Sequence, residues 1–357
     1  MGRRSHSRAL GVWTNGIRVG RWLIPASGPM SFAYDPSWVS SQEARPLSLS
    51  LPMNLDGVPI QGEKVGFFFD NLLPDSDAIR QRIRRRFHTR SGESFDLLEA
   101  IGRDCVGAIQ LLLEGSVPTG VTEITATPLD ETEVERELLG ALSLTGVSPP
   151  EDQDFRISMT PRNGRRTIAG AQEKTALTWH KGRWCKPHGS TPTTHIFKLP
   201  LGLVGGRQMD MTQSLENEWL CAQLLAGYGL SIASCEVKQF GATRALVVQR
   251  FDRQLHSSGR YWLRLPQEDL CQATGTPSSL KYESDGGPGL TEIARVLQGS
   301  QARNDDLATL LRSQLLFWML AATDGHAKNF SIRLTTSFQR GLLWEIARTK
   351  CTRKSCR

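Results

Sequence analysis

Asp324-Gly-His-Ala-Lys-Asn329 stands one residue, Thr323, behind the longest wholly apolar run of the chain, the eight residues Leu315–Ala322. Eight residues fall far short of the roughly 20 that a membrane-spanning helix needs, so no membrane span is expected. The loop that follows presents a carboxylate and a carboxamide five residues apart. This is the D-x-x-x-x-N spacing of a kinase catalytic loop, in which the aspartate takes the proton of an acceptor hydroxyl and the asparagine holds a magnesium ion that bridges phosphates. As a bare pattern it also describes an ordinary capped turn. The His-Arg pair of ordinary protein kinases is absent, replaced by Ala322-Thr323.

Three features upstream, in the same order as in a kinase, sharpen the reading. Ile168–Leu177 (IAGAQEKTAL) is a small-residue turn leading into a strand-like run, so its N–H groups can approach phosphates. Lys198 lies in the apolar string His195-Ile-Phe-Lys-Leu-Pro, and a lysine buried on a strand needs an anionic partner. The helix expected over Ser214–Tyr228, capped by Ser214, offers Glu216 and Glu218, of which Glu218 is the favoured partner. Finally, Ala245–Asp252 (ALVVQRFD) is an apolar strand with a polar end, where the backbone of Gln249–Phe251 can meet an adenine edge. Together the four describe a phosphotransferase.

The rest of the chain is mixed. Ala9–Arg21 alternates around Asn15-Gly16, the signature of a hairpin. Pro46–Pro52 (PLSLSLP) predicts a short half-buried strand. Ile79, Ile83 and Phe87 recur every four residues after Ser76, which predicts a helix whose other face carries Arg80, Arg82, Arg84, Arg85 and Arg86. That face is either solvated or a surface for nucleic acid or a partner. A further helix is expected over Phe95–Ile101, a strand over Gly107–Leu113, strands over Thr175–Trp179, Thr194–Leu199 and Arg244–Phe251, and a long helix over Asn304–Ala322. Thr145–Phe155 (TGVSPPEDQDF) reads as a linker. The expected organisation is an N-terminal subdomain over 1–145, a linker over 146–155, a core over 156–346 and a basic tail over 347–357.

Seven scattered cysteines without Cys-x-x-Cys argue against a disulfide scaffold or zinc ribbon and for a reducing, cytoplasmic setting. No apolar signal segment precedes Trp13. The net charge of +7 invites an anionic partner. It is local, however. Residues 348–357 hold five basic side chains and no acid, and Arg162, Arg165 and Arg166 add three, so the remainder of the chain totals −1.

At these strings the sequence resembles the HipA family, serine/threonine kinase toxins of bacterial toxin–antitoxin pairs. Matching blocks occur in order: RPLSLSLP (45–52), FFDNLLPDS (68–76), IGRDCVGA (101–108), AGAQEKTAL (169–177), TPTTHIFKLP (191–200), RLPQEDLCQ (264–272), KYESDGGPG (281–289) and ATDGHAKNFS (322–331). The resemblance implies an α+β fold, an N-terminal subdomain on a two-lobed kinase core with a largely helical C-terminal lobe. It implies ATP and Mg²⁺ as cofactors. By position, Ala169, Gly170, Ala171, Gln172, Glu173 and Lys174 line the phosphate loop, and Lys198 binds phosphates. Gln249, Arg250 and Phe251 meet the adenine, while His326, Ala327, Lys328 and Asn329 complete the nucleotide site. Asp324 is the base and Asn329 the metal ligand. The resemblance further implies a small helix-turn-helix antitoxin, operator DNA reached through that complex, and a translation-related substrate such as glutamyl-tRNA synthetase.

Two departures stand out. Residues 159–167 look like an insertion, so the family's autophosphorylated serine corresponds to Ser158, slightly favoured, or is replaced by Thr167. Where the family carries a second metal-binding aspartate, this chain has Glu345 in Leu343-Trp-Glu-Ile346. Residues 347–357 resemble nothing in the family, which suggests a truncated or frame-shifted end and an incomplete C-terminal lobe. Catalysis could then be lost while ATP binding survives weakly, leaving an antitoxin-binding corepressor or sponge, or an unfolded product.

Overall fold

The computed structural model describes residues 6–54, 56–141, 174–204, 209–322, 325–335 and 342–345. The N-terminal domain runs through β1 (Arg8–Thr14), β2 (Ile17–Ile24), β3 (Ser31–Tyr34), α1 (Pro36–Val39), β4 (Ile60–Gln61), α2 (Glu63–Asp70), α3 (Asp77–Arg86), α4 (Ser94–Ile101) and β5 (Ile109–Leu113). Its antiparallel sheet has the order β4-β3-β2-β1-β5. The hairpin turns as expected at Asn15-Gly16, where φ is +46° and +88°, the left-handed pair that a tight hairpin demands. Alternate residues of β1 and β2 face a core that includes Val12, Trp22, Phe68, Phe69, Ile79, Ile83 and Leu98. Trp22 stacks on Phe69 with centroids 4.0 Å apart.

The first lobe of the core contains β6 (Ala126–Pro128), α5 (Glu131–Ala141), β7 (Lys174–His180), β8 (Arg183–Pro187), β9 (His195–Lys198), β10 (Gly202–Val204), β11 (Met209–Met211), α6 (Ser214–Gly227), β12 (Cys235–Phe240) and β13 (Thr243–Gln249). Its main sheet has the order β12-β13-β9-β7-β8-β6, and Val134 and Leu138 of α5 pack on Leu177, Phe197 and Val247. The boundary expected at residue 145 therefore moves upstream. β6 and α5 belong to this sheet, and the break falls between Leu113 and Ala126, where Gly115, Pro118 and Gly120 supply turn chemistry. The linker expected over 146–155 lies outside the described residues, as does the tail 347–357.

The second lobe follows: β14 (Arg253–Leu255), β15 (Trp262–Arg264), β16 (Gln267–Asp269), α7 (Leu270–Thr274), α8 (Leu290–Leu297), α9 (Arg303–Met319), β17 (Ser331–Leu334) and β18 (Leu342–Glu345). β16, β17 and β18 form one antiparallel sheet, in which Ser331 lies opposite both Asp269 and Glu345. Its helices share a core of Leu270, Ile293, Leu310 and Phe317, joined by Phe330 just before β17. Among the described residues no helix is long and apolar enough to cross a membrane.

Two expected elements change. Pro46–Pro52 is not a strand but a turn closed by Leu51 N–H on the Ser48 carbonyl at 3.1 Å. The Ser48 and Ser50 hydroxyls donate to the Gln272 carbonyl, so these serines serve a neighbouring segment rather than a solvent face. Ser214 is the first residue of α6 rather than its cap, and its hydroxyl accepts from Leu201 N–H at 3.0 Å.

Candidate active site

Lys198 ends β9, between Lys174 on β7 and Leu246 on β13. The strand buries it, at 2% exposure, and a buried ammonium needs a counter-charge. Glu218 of α6 supplies it directly. The choice between the two glutamates is thus resolved by the helix period: Glu216, two residues earlier, turns outward and pairs with Arg244. Lys174 lies directly across the ladder from Lys198, so both ammonium-bearing side chains leave the same side of the sheet. Two cations on adjacent strands, one steadied by a helix carboxylate, are donors suited to the phosphates of a nucleotide.

The expected hinge is narrower than the sequence suggests. Gln249 N–H donates to the Ser234 carbonyl at 2.8 Å and Arg250 N–H to the Thr194 carbonyl at 2.9 Å. Two of the three N–H groups assigned to an adenine edge are therefore used within the protein. The Arg250 side chain also serves the fold. It forks onto Asp252 at 3.0 and 2.7 Å and reaches Thr193 Oγ1 at 2.9 Å and the Cys105 carbonyl at 3.0 Å.

That fork belongs to a buried network the sequence reading did not single out. Asp104, from the N-terminal domain, accepts from the Thr193 hydroxyl at 2.6 Å, Arg253 at 3.1 Å and Arg264 at 3.2 Å. Gly107 N–H donates to Asp252 at 2.8 Å. Gly107 has φ +75°, and a Cβ there would meet the Gln267 carbonyl oxygen at 2.7 Å, so only glycine allows this approach. Burial opposes the charge of Asp252, but Arg250 and Arg253 outweigh it and hold the carboxyl at about 2. Burial and the neighbouring Arg250 bring Arg253 down to about 10. The signal was present in IGRDCVGA, where Arg103 and Asp104 sit in an otherwise small and apolar string.

Residues 325–330 lie between α9 and β17 in sequence. Ala327, Lys328 and Asn329 form one tight turn, with Ala327 and Asn329 buried. Ala327 N–H donates to the Lys281 carbonyl at 3.1 Å, and the His326 ring meets Tyr282 edge-on at 4.8 Å. Lys328 extends to the N-terminal domain, where its ammonium contacts Asp75 at 2.7 Å. Burial opposes the charge of Asp75, but Lys328 and Lys281 outweigh it and hold the carboxyl at about 2. Beside the loop, burial pushes Asp269 up to about 6, partly offset by Lys328. Burial also pushes Glu268 up to about 8, partly offset by Ser48 and by Leu49 N–H.

Asp324, the phosphate-loop residues Ala169, Gly170, Ala171, Gln172 and Glu173, and the modification candidates Ser158 and Thr167 lie outside the described residues. Among the described residues no three His, Cys, Asp or Glu side chains converge as a metal site. Magnesium fits what is present in a different way. It is commonly held by one or two protein oxygens together with substrate phosphates, and Asn329 brings a buried carboxamide to the turn that follows α9.

The basic helix divides. Arg80 is tied to Asp70 at 2.6 Å, and Arg86 faces the Glu137 charge of α5. Arg84 and Arg85 are exposed, and with Gln81, His88 and Thr89 they line an open depression of about 460 Å³.

Comparison with known proteins agrees along the chain. Residues 10–112 match the HipA N-terminal domain and residues 166–347 the HipA-like C-terminal domain. The protein Y4mE of Sinorhizobium fredii, whose name marks it as a candidate kinase, is 33% identical over 330 residues, covering 91% of this chain and 73% of that one. The serine/threonine-protein kinase toxin HipA of Shewanella oneidensis is 27% identical over 324 residues, 87% of this chain and 68% of the relative. A solved structure of Shewanella HipA with HipB and operator DNA superposes with a TM-score of 0.73 at 23% identity, covering 94% of this chain and 74% of that one.

Proposed function

The chain belongs to the HipA family, and from that premise we propose that it is a serine/threonine kinase toxin using ATP and Mg²⁺. The observation that carries the reading is the buried Lys198–Glu218 pair on β9 and α6. Lys198, with Lys174 beside it, holds nucleotide phosphates in place. Asp324 takes the proton of a seryl hydroxyl as that oxygen bonds to the γ-phosphorus. The bond from γ-phosphorus to the bridging oxygen breaks, and ADP leaves. Asn329 would hold a magnesium ion, which when bound would neutralise phosphate charge. Transfer of this kind rests on positioning and charge neutralisation rather than covalent catalysis.

The proposed acceptors are a serine of a translation-related protein, such as glutamyl-tRNA synthetase, and Ser158 or Thr167 of the chain itself. The proposed partners are a small helix-turn-helix antitoxin and, through it, operator DNA. The complex of Shewanella HipA with HipB and operator DNA supports this assignment.

Glu345 favours a second reading. It sits opposite Ser331, on the strand that pairs with the one leaving the catalytic loop, and it is a methylene longer than the aspartate the family resemblance implies. Mg²⁺ demands near-octahedral geometry, so a chain altered here can retain antitoxin binding as a corepressor or sponge without transfer. Incubation with γ-labelled ATP, alongside Asp324→Asn, decides between them. Label on the wild type alone supports the kinase. No label, with antitoxin binding intact, supports the corepressor.

A further inference from the structure

Asp75 lies in the turn between α2 and α3, about 250 residues upstream of the catalytic loop in sequence, yet it touches that loop. One of its oxygens accepts from Lys328 at 2.7 Å and the other from Lys281 at 2.7 Å. Lys328 also donates to the Asn71 carbonyl at 3.3 Å. The surrounding contacts make the turn rigid. Asn71 Nδ2 donates to the Thr276 carbonyl at 2.9 Å, the Ser278 hydroxyl donates to Asp70 at 2.8 Å, and Arg80 holds the other Asp70 oxygen at 2.6 Å. Lys281 in turn carries the catalytic loop through its own carbonyl, which accepts from Ala327 N–H. Both ends of Lys281 thus bind what is to be aligned, the backbone end the loop and the ammonium end Asp75.

A solvent-exposed ion pair contributes little, and three features separate this one from that class. The side chain of Lys328 is only 12% exposed. Two cations share one carboxylate, so removing it leaves two ammonium groups facing each other. And Lys328 is followed directly by Asn329, in a turn too tight for one residue to move without the next.

We propose that Asp75 is a positioning residue for phosphoryl transfer, through which the N-terminal domain fixes Lys328 and the turn bearing Asn329. The role rests on the kinase reading. Asp75 touches no reacting atom; it acts through the loop. Its loss slows the chemical step more than it weakens nucleotide binding, because Lys198 and Glu218 stand on separate elements.

The test compares Asp75→Asn, Asp75→Glu and wild type, full length, by steady-state transfer from labelled ATP and by amine-reactive labelling read by mass spectrometry. In Asp75→Asn, kcat is expected to fall at least tenfold with KM for ATP within about twofold, and labelling of Lys281 and Lys328 to rise severalfold. Asp75→Glu, which keeps the charge, restores most of both. Unchanged kcat, or unchanged labelling of both lysines, in a folded Asp75→Asn protein overturns the proposal. A wild-type chain that transfers no phosphate removes the kinase reading and this role with it. The labelling arm still reports in that case whether the clamp exists, so the two failures are distinguishable.

Discussion

Two clusters of charge join the N-terminal domain to the core, and they are built differently. Around Asp104, three arginines and two aspartates are sealed from water, and the main-chain groups of Cys105 and Gly107 add hydrogen bonds to them. Around Asp75, two lysines meet one carboxylate that is 30% exposed. The sealed cluster lies at the end of β13 and the open one at the turn before β17 that bears Lys328 and Asn329. Planar guanidinium forks suit the first because each can satisfy several acceptors without water, while flexible ammonium groups suit the second. A rigid joint at the strand and an adjustable contact at the loop let one domain support both sides of the site.

The contrast predicts a graded set of effects. Asp104→Ala is the most damaging, since it removes a carboxylate shared by Arg250, Arg253 and Arg264 and leaves Asp252 as the one carboxylate of the cluster. A loss of about 3–5 kcal/mol is expected, read by urea unfolding, and a loss below about 1 kcal/mol would erase the distinction between the clusters. Next comes Glu268→Gln. Burial raises the folded-state carboxyl to about 8, above its ordinary value of 4.5. The folded state therefore binds the extra proton between these values, and stability falls as pH rises from about 5 to 8. The variant should flatten part of that slope, by roughly 1–3 kcal/mol across the window, in unfolding curves at pH 5.5 and 8; Asp269, also raised, retains the remainder. Asp75→Asn is the mildest for stability, at about 1–2 kcal/mol, between an exposed pair and a sealed one because the carboxylate is 30% exposed, measured in the same urea titration. A larger loss would make the clamp a structural joint like the first.

Much of this was legible in the sequence. The Asn15-Gly16 hairpin, α3 through Ile79 and Ile83, and the choice of Glu218 over Glu216 followed from local period and turn chemistry. What was missed depends on long-range pairing. The leucine–serine alternation of residues 46–52 mimics a strand until Gln272 is seen to take the serine hydroxyls. The assignment of α5 to the second sheet depends on β6 pairing with β8 across a long stretch of chain. Arg250 looked like part of a hinge because its string is apolar, and only the approach of Asp104 and Cys105 shows where its guanidinium goes. Asp75 and Lys328 were both visible in matching blocks, but no spacing rule joins residues so far apart.

The central claim is that Lys198, steadied by Glu218, is the phosphate anchor of a nucleotide site. Calorimetric titration of Mg²⁺-ATP into the wild type and Lys198→Met tests it most directly. The account predicts saturable one-site binding by the wild type and at least a tenfold weaker constant in the variant, a loss of about 1.4 kcal/mol or more. Equal affinity in the two proteins, or no binding by a folded wild type, would contradict it.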